Sequence, residues 1–446
     1  MLDILFVVTN GPKKKVRGKL VRQFSAGVGY LTALMAENGF TCDLLDFDLE
    51  GINTNTLVDE IARTQPRVVG FSALTEGSDT AVALAALVKR ISPGTWTVLG
   101  GPHGTFLGEE LVARGAFDVV VRSEAEGTLI ELLAAIRFKN GDLEGIDGLV
   151  YRRDGRVVAT PTPSFHDDLD ELPFPFRHLF PSNQYEGRSG IISARGCPYI
   201  CVFCNAQALS GKSYRMRSAE SVFDEIVYLH DQGVKFFTFL DDLTTLNKKR
   251  LTRICELILE AGLGIQWGVE SRVDTLSEDL CHLLYRAGCR GIHFGVESGN
   301  DDTLKDIRKK ITRDKVVRAV SMAHGAGLHV LCSFIVGNPT DTRESVARTF
   351  AFAAELHEKY HATSLFSALT PFPGTELYES PEAFGLHIHA DSFSDYTLLE
   401  PMISTRSLSL DDLRELMAEA RSLEARTSIV RERLAKLQRE KEALHA

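Results

Sequence analysis

Two long stretches of the chain repeat one pattern: a short apolar run, then a segment whose apolar residues recur every three or four positions. Early in the chain the apolar runs are 3–8, 41–47, 67–73, 95–99 and 117–121. Segments of helical period lie at 29–38, 56–64, 78–91, 109–113 and 127–138. Short unbroken apolar runs suit strands buried on both faces, and their alternation with helices predicts a parallel sheet covered on both sides. The expected product is a doubly wound α/β domain with its ligand edge at the C-terminal ends of the strands. Runs 148–153 and 156–160 flank Asp154-Gly155, a favoured two-residue turn, and predict a β-hairpin. Pro161, Pro163, Pro173, Pro175 and Pro181 follow, so 160–186 reads as a linker.

The alternation restarts at Gly190. Strand runs are expected at 191–194, 236–240, 265–269, 291–296, 329–336 and 364–368. Helical patterns follow at 219–231, 248–260, 277–287, 301–307, 313–326 and 342–359. Six such units predict a partial (β/α)6 barrel, open relative to the eight-unit form. Residues 410–446 are rich in Arg, Lys, Glu and Leu and read as helix. No repeat of about 20–50 residues is present. The expected organisation is a Rossmann-like sheet domain (1–140), a hairpin and Pro-rich linker (141–186), a partial barrel (187–380) and a helical segment (381–446).

Composition narrows the class. The 446 residues suffice for two or three domains with full cores. The chain is 44% hydrophobic and 25% charged, as in soluble globular proteins. No apolar run of about 18 residues predicts a membrane span. The start MLDILFVVTNGPKKK lacks a charged region ahead of its apolar run and reads as a buried strand, not a signal peptide. A net charge of −10 argues against general nucleic-acid binding. Of eight cysteines, Cys42, Cys255, Cys281, Cys289 and Cys332 are scattered in apolar context, as buried free thiols of a reducing cytoplasm.

The other three cysteines change the picture. Cys197, Cys201 and Cys204 fall within eight residues, spaced C-x3-C-x2-C, directly after the run 191–194. A tetrahedral zinc site takes four protein ligands, or three and water. No further Cys or His stands near enough in sequence to complete a familiar zinc pattern. An iron–sulfur cube takes one thiolate per iron, so three thiolates leave one iron open to bind something else.

With its Cys triplet after the first barrel strand and Phe203 before the last Cys, the second half resembles a radical S-adenosylmethionine (SAM) enzyme. The resemblance implies a 4Fe-4S cluster on Cys197, Cys201 and Cys204. Its open iron would chelate the amino and carboxylate groups of SAM, and reduction would yield methionine and a 5′-deoxyadenosyl radical. It also implies a SAM site along the strand ends: Asp241 and Asp242 in FLDDLTTLNKKR at the amino end, Arg272 at the carboxylate, and Glu297 and Ser298 in FGVESGN at the ribose. Gly337 in SFIVGNPTDT stands in the strand that contacts adenine, and ALTPFPGTELY with Pro371, Pro373 and Gly374 matches a frequent family ending. Each has a plain alternative. The aspartates can cap a helix, and Arg272 can pair with Asp274 or Glu270.

The first half resembles the cobalamin-binding domain of one large radical SAM subclass, through GVGYLTALMAENGFTCDLLD, VVGFSALTEG, VLGGPHGTFLGEELV and FDVVVRSEAEGTLIELL. The implied cobalamin contacts are Ser72, Leu74, Thr75, Gly100, Gly101, Pro102, Glu124, Glu126, Gly127 and Thr128. The D-x-H-x-x-G motif that supplies a histidine to cobalt elsewhere is absent, and His103 in GPHGTF is not assigned as a ligand. The loop PKKKVRGKLVRQ gathers Lys13, Lys14, Lys15, Arg17, Lys19 and Arg22, which can neutralise an anionic substrate. The expected function is radical methylation of an unactivated carbon of a small molecule in biosynthesis. Two others stay open: a radical SAM cyclisation, rearrangement, oxidation or aminocarboxypropyl transfer, and a non-catalytic iron–sulfur or zinc module. The partners implied are a small-molecule substrate and an electron donor such as flavodoxin or ferredoxin, with no nucleic acid and no membrane. No catalytic acid or base is assigned.

Overall fold

The computed structural model describes residues 1–9, 15–16, 19–20, 24–180 and 190–428. After β1 (Ile4–Thr9), a short ribbon of β2 (Lys15–Val16) and β3 (Lys19–Leu20) precedes α1 (Ala26–Glu37). Then alternate β4 (Cys42–Asp46), α2 (Thr54–Thr64), β5 (Val68–Ala73), α3 (Ser78–Ile91), β6 (Trp96–Gly100), α4 (Pro102–Ala113), β7 (Val119–Val121) and α5 (Glu126–Phe138). The parallel strands stand in the order β4-β1-β5-β6-β7. Chain order therefore reverses between β1 and β5, where sheets of this class open a crevice at the strand C-termini. Apolar clusters cover both faces, one around Phe6 and Leu132, the other around Phe71 and Val120.

Asp154 (φ 50°) and Gly155 (φ 78°) make the expected hairpin turn between β8 (Leu149–Arg153) and β9 (Arg156–Ala159). The hairpin pairs antiparallel on β7 and extends the first sheet to seven strands. Helix α4 begins at Pro102, well ahead of the 109–113 pattern. Gly104 and Gly108 lie flush on Leu99 and Val120, where a Cβ would come within 3.2 and 2.9 Å. Glycines packed this way leave no apolar period to read, and non-helical Leu107 breaks what remains.

The second series opens with β10 (Gly190–Ile191). The strand expected over 191–194 is split, because Ser193 turns out of line and donates its N–H to Asp241 (2.6 Å). The chain continues as β11 (Ala194–Arg195), which pairs antiparallel with β12 (Arg215–Met216). The loop between them holds the cysteine triplet and α6 (Ala206–Ser210). After α7 (Ala219–Asp231) come β13 (Phe236–Phe239), α8 (Lys248–Ala261), β14 (Gln266–Ser271), α9 (Glu278–Arg286) and β15 (Cys289–Glu297). Helices α10 (Asp301–Asp306) and α11 (Arg313–Gly325), β16 (His329–Val336), α12 (Arg343–Tyr360) and β17 (Thr363–Ala368) complete the series. Strands β10-β13-β14-β15-β16-β17 form one parallel six-stranded sheet, the expected partial barrel. Its core gathers Phe237, Phe239, Trp267, Phe294, Phe334 and Phe366.

After α13 (Glu376–Glu379), the chain returns to the first domain. Ser392 and Ser394 bond to Asp79, and Phe393 packs edge-on against His103 (4.6 Å). A ribbon of β18 (His387–Ile388) and β19 (Ile403–Ser404) leads to α14 (Leu410–Thr427), which lies on the open edge strand β17. There Glu424 accepts from Phe366 N, Arg421 donates to Phe366 O, and Thr427 Oγ1 accepts from Ser364 N. Residues 429–446 of the expected 410–446 helix lie outside the described residues. Among the described residues no helix is long and apolar enough to cross a membrane.

Candidate active site

The β11–β12 ribbon closes the base of the cysteine loop, and Gly196 (φ 89°) makes the sharp entry. A Cβ there would fall 2.2 Å from Ser213 O, so only glycine fits. Inside the loop Cys197 N donates to Gly211 O and Cys204 N to Cys201 O. Gln207 holds the carbonyls of Cys197 and Tyr199, and Asn205 reaches Pro373 O at 3.2 Å. Val202 N donates to Ile307 O, and Cys201 Sγ lies 3.9 Å from Arg308 O. Two distant turns thus hold a segment that has almost no regular structure of its own.

Cys197, Cys201 and Cys204 line one cavity of about 250 Å³ with Tyr199, Phe203, Asp242, Arg272, Glu297 and Lys309. Among the described residues no three His, Cys, Asp or Glu side chains converge on one metal-ion point. A single zinc needs its ligand atoms about 2.0–2.3 Å from a common centre. A cube places each thiolate on a different iron, so three thiolates suit a cluster with one iron left open. Burial raises all three thiols, Cys204 to about 11. Lys309 and Arg272 oppose that rise at Cys197 and Cys201, and a bound metal would complete the deprotonation.

Strand ends bring the polar lining together. Glu270 and Ser271 come from β14 and Arg272 from just past its end, while period-two alternation along β15 brings His293, Gly295 and Glu297, and β16 adds Ser333. Glu297 accepts from Lys309 Nζ at 2.7 Å, and a Cβ on Gly295 would sit 2.5 Å from that carboxylate. Arg272 grips Asp274 with two 2.9 Å bonds, the pairing weighed above, and lies 3.7 Å over the Tyr199 ring. Asp242 projects into the cavity, and burial followed by the Asp241 charge raises its carboxyl.

Three residues expected at the SAM site do not line this cavity. Asp241 is wholly buried and accepts from Ser193 N, Ser193 Oγ and Ala194 N, so it fixes the kink ahead of the cysteine loop. Ser298 Oγ accepts from Asn300 N and pairs with Thr349. Gly337 makes room for Leu413 of α14, which a Cβ would meet at 2.9 Å. Sequence reading missed Tyr199, Glu270, His293, Ser333 and Lys309. Alternation along the strands marks Glu270 and His293, whereas Lys309 arrives from a loop with no local signal.

A second cavity of about 280 Å³ adjoins the ligand edge of the first sheet. It is lined by Gly27, Ser72, Gly101, Pro102, Ser123, Glu124, Ala125 and Glu126 from that side, and by Ala194, Arg195, Leu240 and Asp242 from the barrel. Among the described residues Asp242 alone lines both cavities. Gly27, Ser72, Gly101 and Pro102 are small, which leaves room for a broad ring at this edge. Thr9, at the end of β1 by the switch point, has a buried hydroxyl with no partner among the described residues. Of the expected cobalamin contacts, Leu74, Thr75, Gly100, Gly127 and Thr128 are not on the lining. Thr128 is spent on Asp147 O (3.0 Å), and the Thr75–Gly77 turn packs against Phe393–Asp395. Glu124 and Glu126 are on it but are paired with Arg195 and Arg215. His103 is fully buried, neither ring nitrogen has a partner among the described residues, burial holds it down to about 4, and it does not line the cavity. Lys13, Lys14, Arg17 and Arg22, and the side chains of Lys15 and Lys19, lie outside the described residues.

Two family models match the chain: the radical SAM superfamily over residues 191–353 and the B12 binding domain over 22–133. An uncharacterized methyltransferase of Pyrococcus horikoshii is 35% identical, across 88% of this chain and 86% of its own. The anaerobic magnesium-protoporphyrin IX monomethyl ester cyclase of Rubrivivax gelatinosus is 28% identical, across 87% of this chain and 71% of its own. The structure of the radical SAM methyltransferase TsrM from Kitasatospora setae, with cobalamin and a 4Fe-4S cluster bound, superposes with a TM-score of 0.71 at 20% identity. That match covers 93% of this chain and 82% of the other.

Proposed function

This chain belongs to the radical SAM superfamily, in the branch with a B12-binding domain ahead of the barrel, and we propose that it methylates a carbon of a small-molecule substrate. The observation that carries the reading is the pair of adjoining cavities, one ringed by the cysteine triplet and one on the B12-type ligand edge, with Asp242 in the wall of both. When bound, the cluster and SAM supply a carbon radical and cobalamin supplies a transferable methyl group.

The chain's own residues then have assigned work. Cys197, Cys201 and Cys204 would hold the cluster, three thiolates being one fewer than its irons. Asp242 receives the SAM ammonium, for which a cavity-facing carboxylate with no ion pair among the described residues is suited. Glu297, oriented by Lys309, accepts from the ribose hydroxyls. Phe203 and Tyr199 form an apolar wall, and Arg272, stacked on Tyr199, places positive charge beside the SAM carboxylate. Ser72, Gly101 and Pro102 border the corrinoid. The substrate carbon lies between the cavities, so groups lining their shared wall orient it. The electron comes from a small donor such as flavodoxin or ferredoxin, in a reducing compartment where free cysteines persist.

The cyclase relative supports a second reading, ring formation without methyl transfer. Anaerobic reconstitution with iron and sulfide, with and without hydroxocobalamin, tests both. The expected holoprotein carries about four irons and one corrinoid per chain, and with dithionite it converts SAM to 5′-deoxyadenosine. Turnover that also yields S-adenosylhomocysteine supports methylation. A chain that takes up the cluster but no corrinoid sinks it.

A further inference from the structure

We infer that Glu124, gripped by Arg195 and Arg215, is a positioning residue that sets the spacing between the two cofactors. This rests on the cluster and corrinoid assignments above. Arg195 and Arg215 face each other across the β11–β12 ribbon and are the paired residues at the base of the cysteine loop. Both reach across the domain boundary to one carboxylate. Arg215 holds Glu124 through two bonds of 2.6 and 2.8 Å, and Arg195 lies 3.4 Å from Glu124 and 2.7 Å from Glu126. Glu124, in the turn between β7 and α5, and Glu126, the first residue of α5, line the corrinoid-side cavity. All four side chains are nearly buried, which separates this junction from a solvated ion pair.

The rest of the junction is built around the same atoms. Arg215 also donates to Ser210 O at the end of α6 and to His166 O, and its guanidinium lies 4.7 Å over Phe165. His166 N points back to Glu124, and Ser123 Oγ reaches Leu209 O at 3.5 Å. The edge for one cofactor and the loop for the other are therefore fastened together at one point. A bidentate guanidinium–carboxylate contact fixes direction as well as distance. Transfer between two bound groups tolerates only about 0.5 Å of misplacement.

The test uses the full chain reconstituted anaerobically with cluster and hydroxocobalamin, then reduced so that cobalt and cluster each carry an unpaired spin. Electron paramagnetic resonance reads the interaction between those spins. In Arg215→Met, iron and corrinoid contents are expected to match the parent, while the distance distribution broadens by about 1 Å or more, beyond the tolerance of a working site. Arg215→Lys, which keeps the charge but not the fork, is expected to fall between. A spin interaction in Arg215→Met identical to the parent, with both cofactors loaded, overturns the inference. Should that variant not fold, Glu124→Gln and Arg215→Lys decide in the same way, an unchanged interaction in both overturning it. A parent chain that binds the cluster but no corrinoid overturns the methyltransferase reading and this inference with it.

Discussion

Asp241 and Asp242 are neighbours of one type with opposite fates. Just past the end of β13 one carboxylate locks the Ser193 kink while the next enters the cavity. Sequence placed both at the SAM site because a motif marks positions along a chain, not directions from it. Asp241→Asn should cost about 1–3 kcal/mol of stability, since a carboxylate accepting three buried bonds is replaced by an amide. Thermal melting of the apoprotein checks this. Asp242→Asn should leave the melting temperature nearly unchanged and weaken SAM about ten-fold or more, the worth of a bond to a charged group. Equal effects of the two substitutions on SAM affinity would contradict the division. At the triplet, Cys201→Ala should lower bound iron and abolish 5′-deoxyadenosine formation, read by iron analysis and product chromatography.

Elements were legible where a period survives. Most strands of both sheets and the helix Ser78–Ile91 follow directly from apolar spacing. Helix α4 and the split of the first barrel strand did not, because glycine packing and a tertiary bond from Asp241 leave no local trace. Helix α14 shows what an element can add beyond its own turns. Its side chains satisfy the exposed backbone of β17, which would otherwise offer unpaired N–H and C=O groups. Its N-terminus is a capping box of Ser409 and Asp412, and Asp412 also pairs with Arg343 of α12. Bonds from Ser409 and then Arg343 hold the Asp412 carboxyl down to about 2, against an ordinary 3.8. A carboxyl lowered on folding stabilises above its unfolded value, and that contribution disappears as pH falls through its folded value. Protection of the Ser364 and Phe366 amides should therefore persist at pH 5 and decline between about pH 4 and 2, as measured by hydrogen exchange. In Asp412→Asn the acid decline of these amides should be smaller, the Glu424 carboxylate still holding Phe366 N, with weaker protection already at neutral pH.

For the molecule as a whole, the fold class and the cysteine loop could be read in advance, while the interdomain contacts could not. They join residues far apart in sequence, such as Arg215 with Glu124, or Glu225 of α7 with Arg177 and Arg217 beside Tyr30 of the first domain. Glu225 is fully buried between its two arginines, so Glu225→Ala removes the carboxylate that both are paired with and leaves their charges uncompensated by it. A loss of about 3–5 kcal/mol is expected, seen as a lower calorimetric transition. An unchanged transition would mean that the junction carries no stability. The cover on β17 has a consequence for how the chain comes into being. Thr427 follows Ser364 by 63 residues, so a ribosome releases the edge strand well before the helix that shields it. During that interval the nascent barrel exposes a ready template for a neighbouring chain on the same message. Slower translation of this final stretch should therefore lower the yield of usable protein without altering its finished structure.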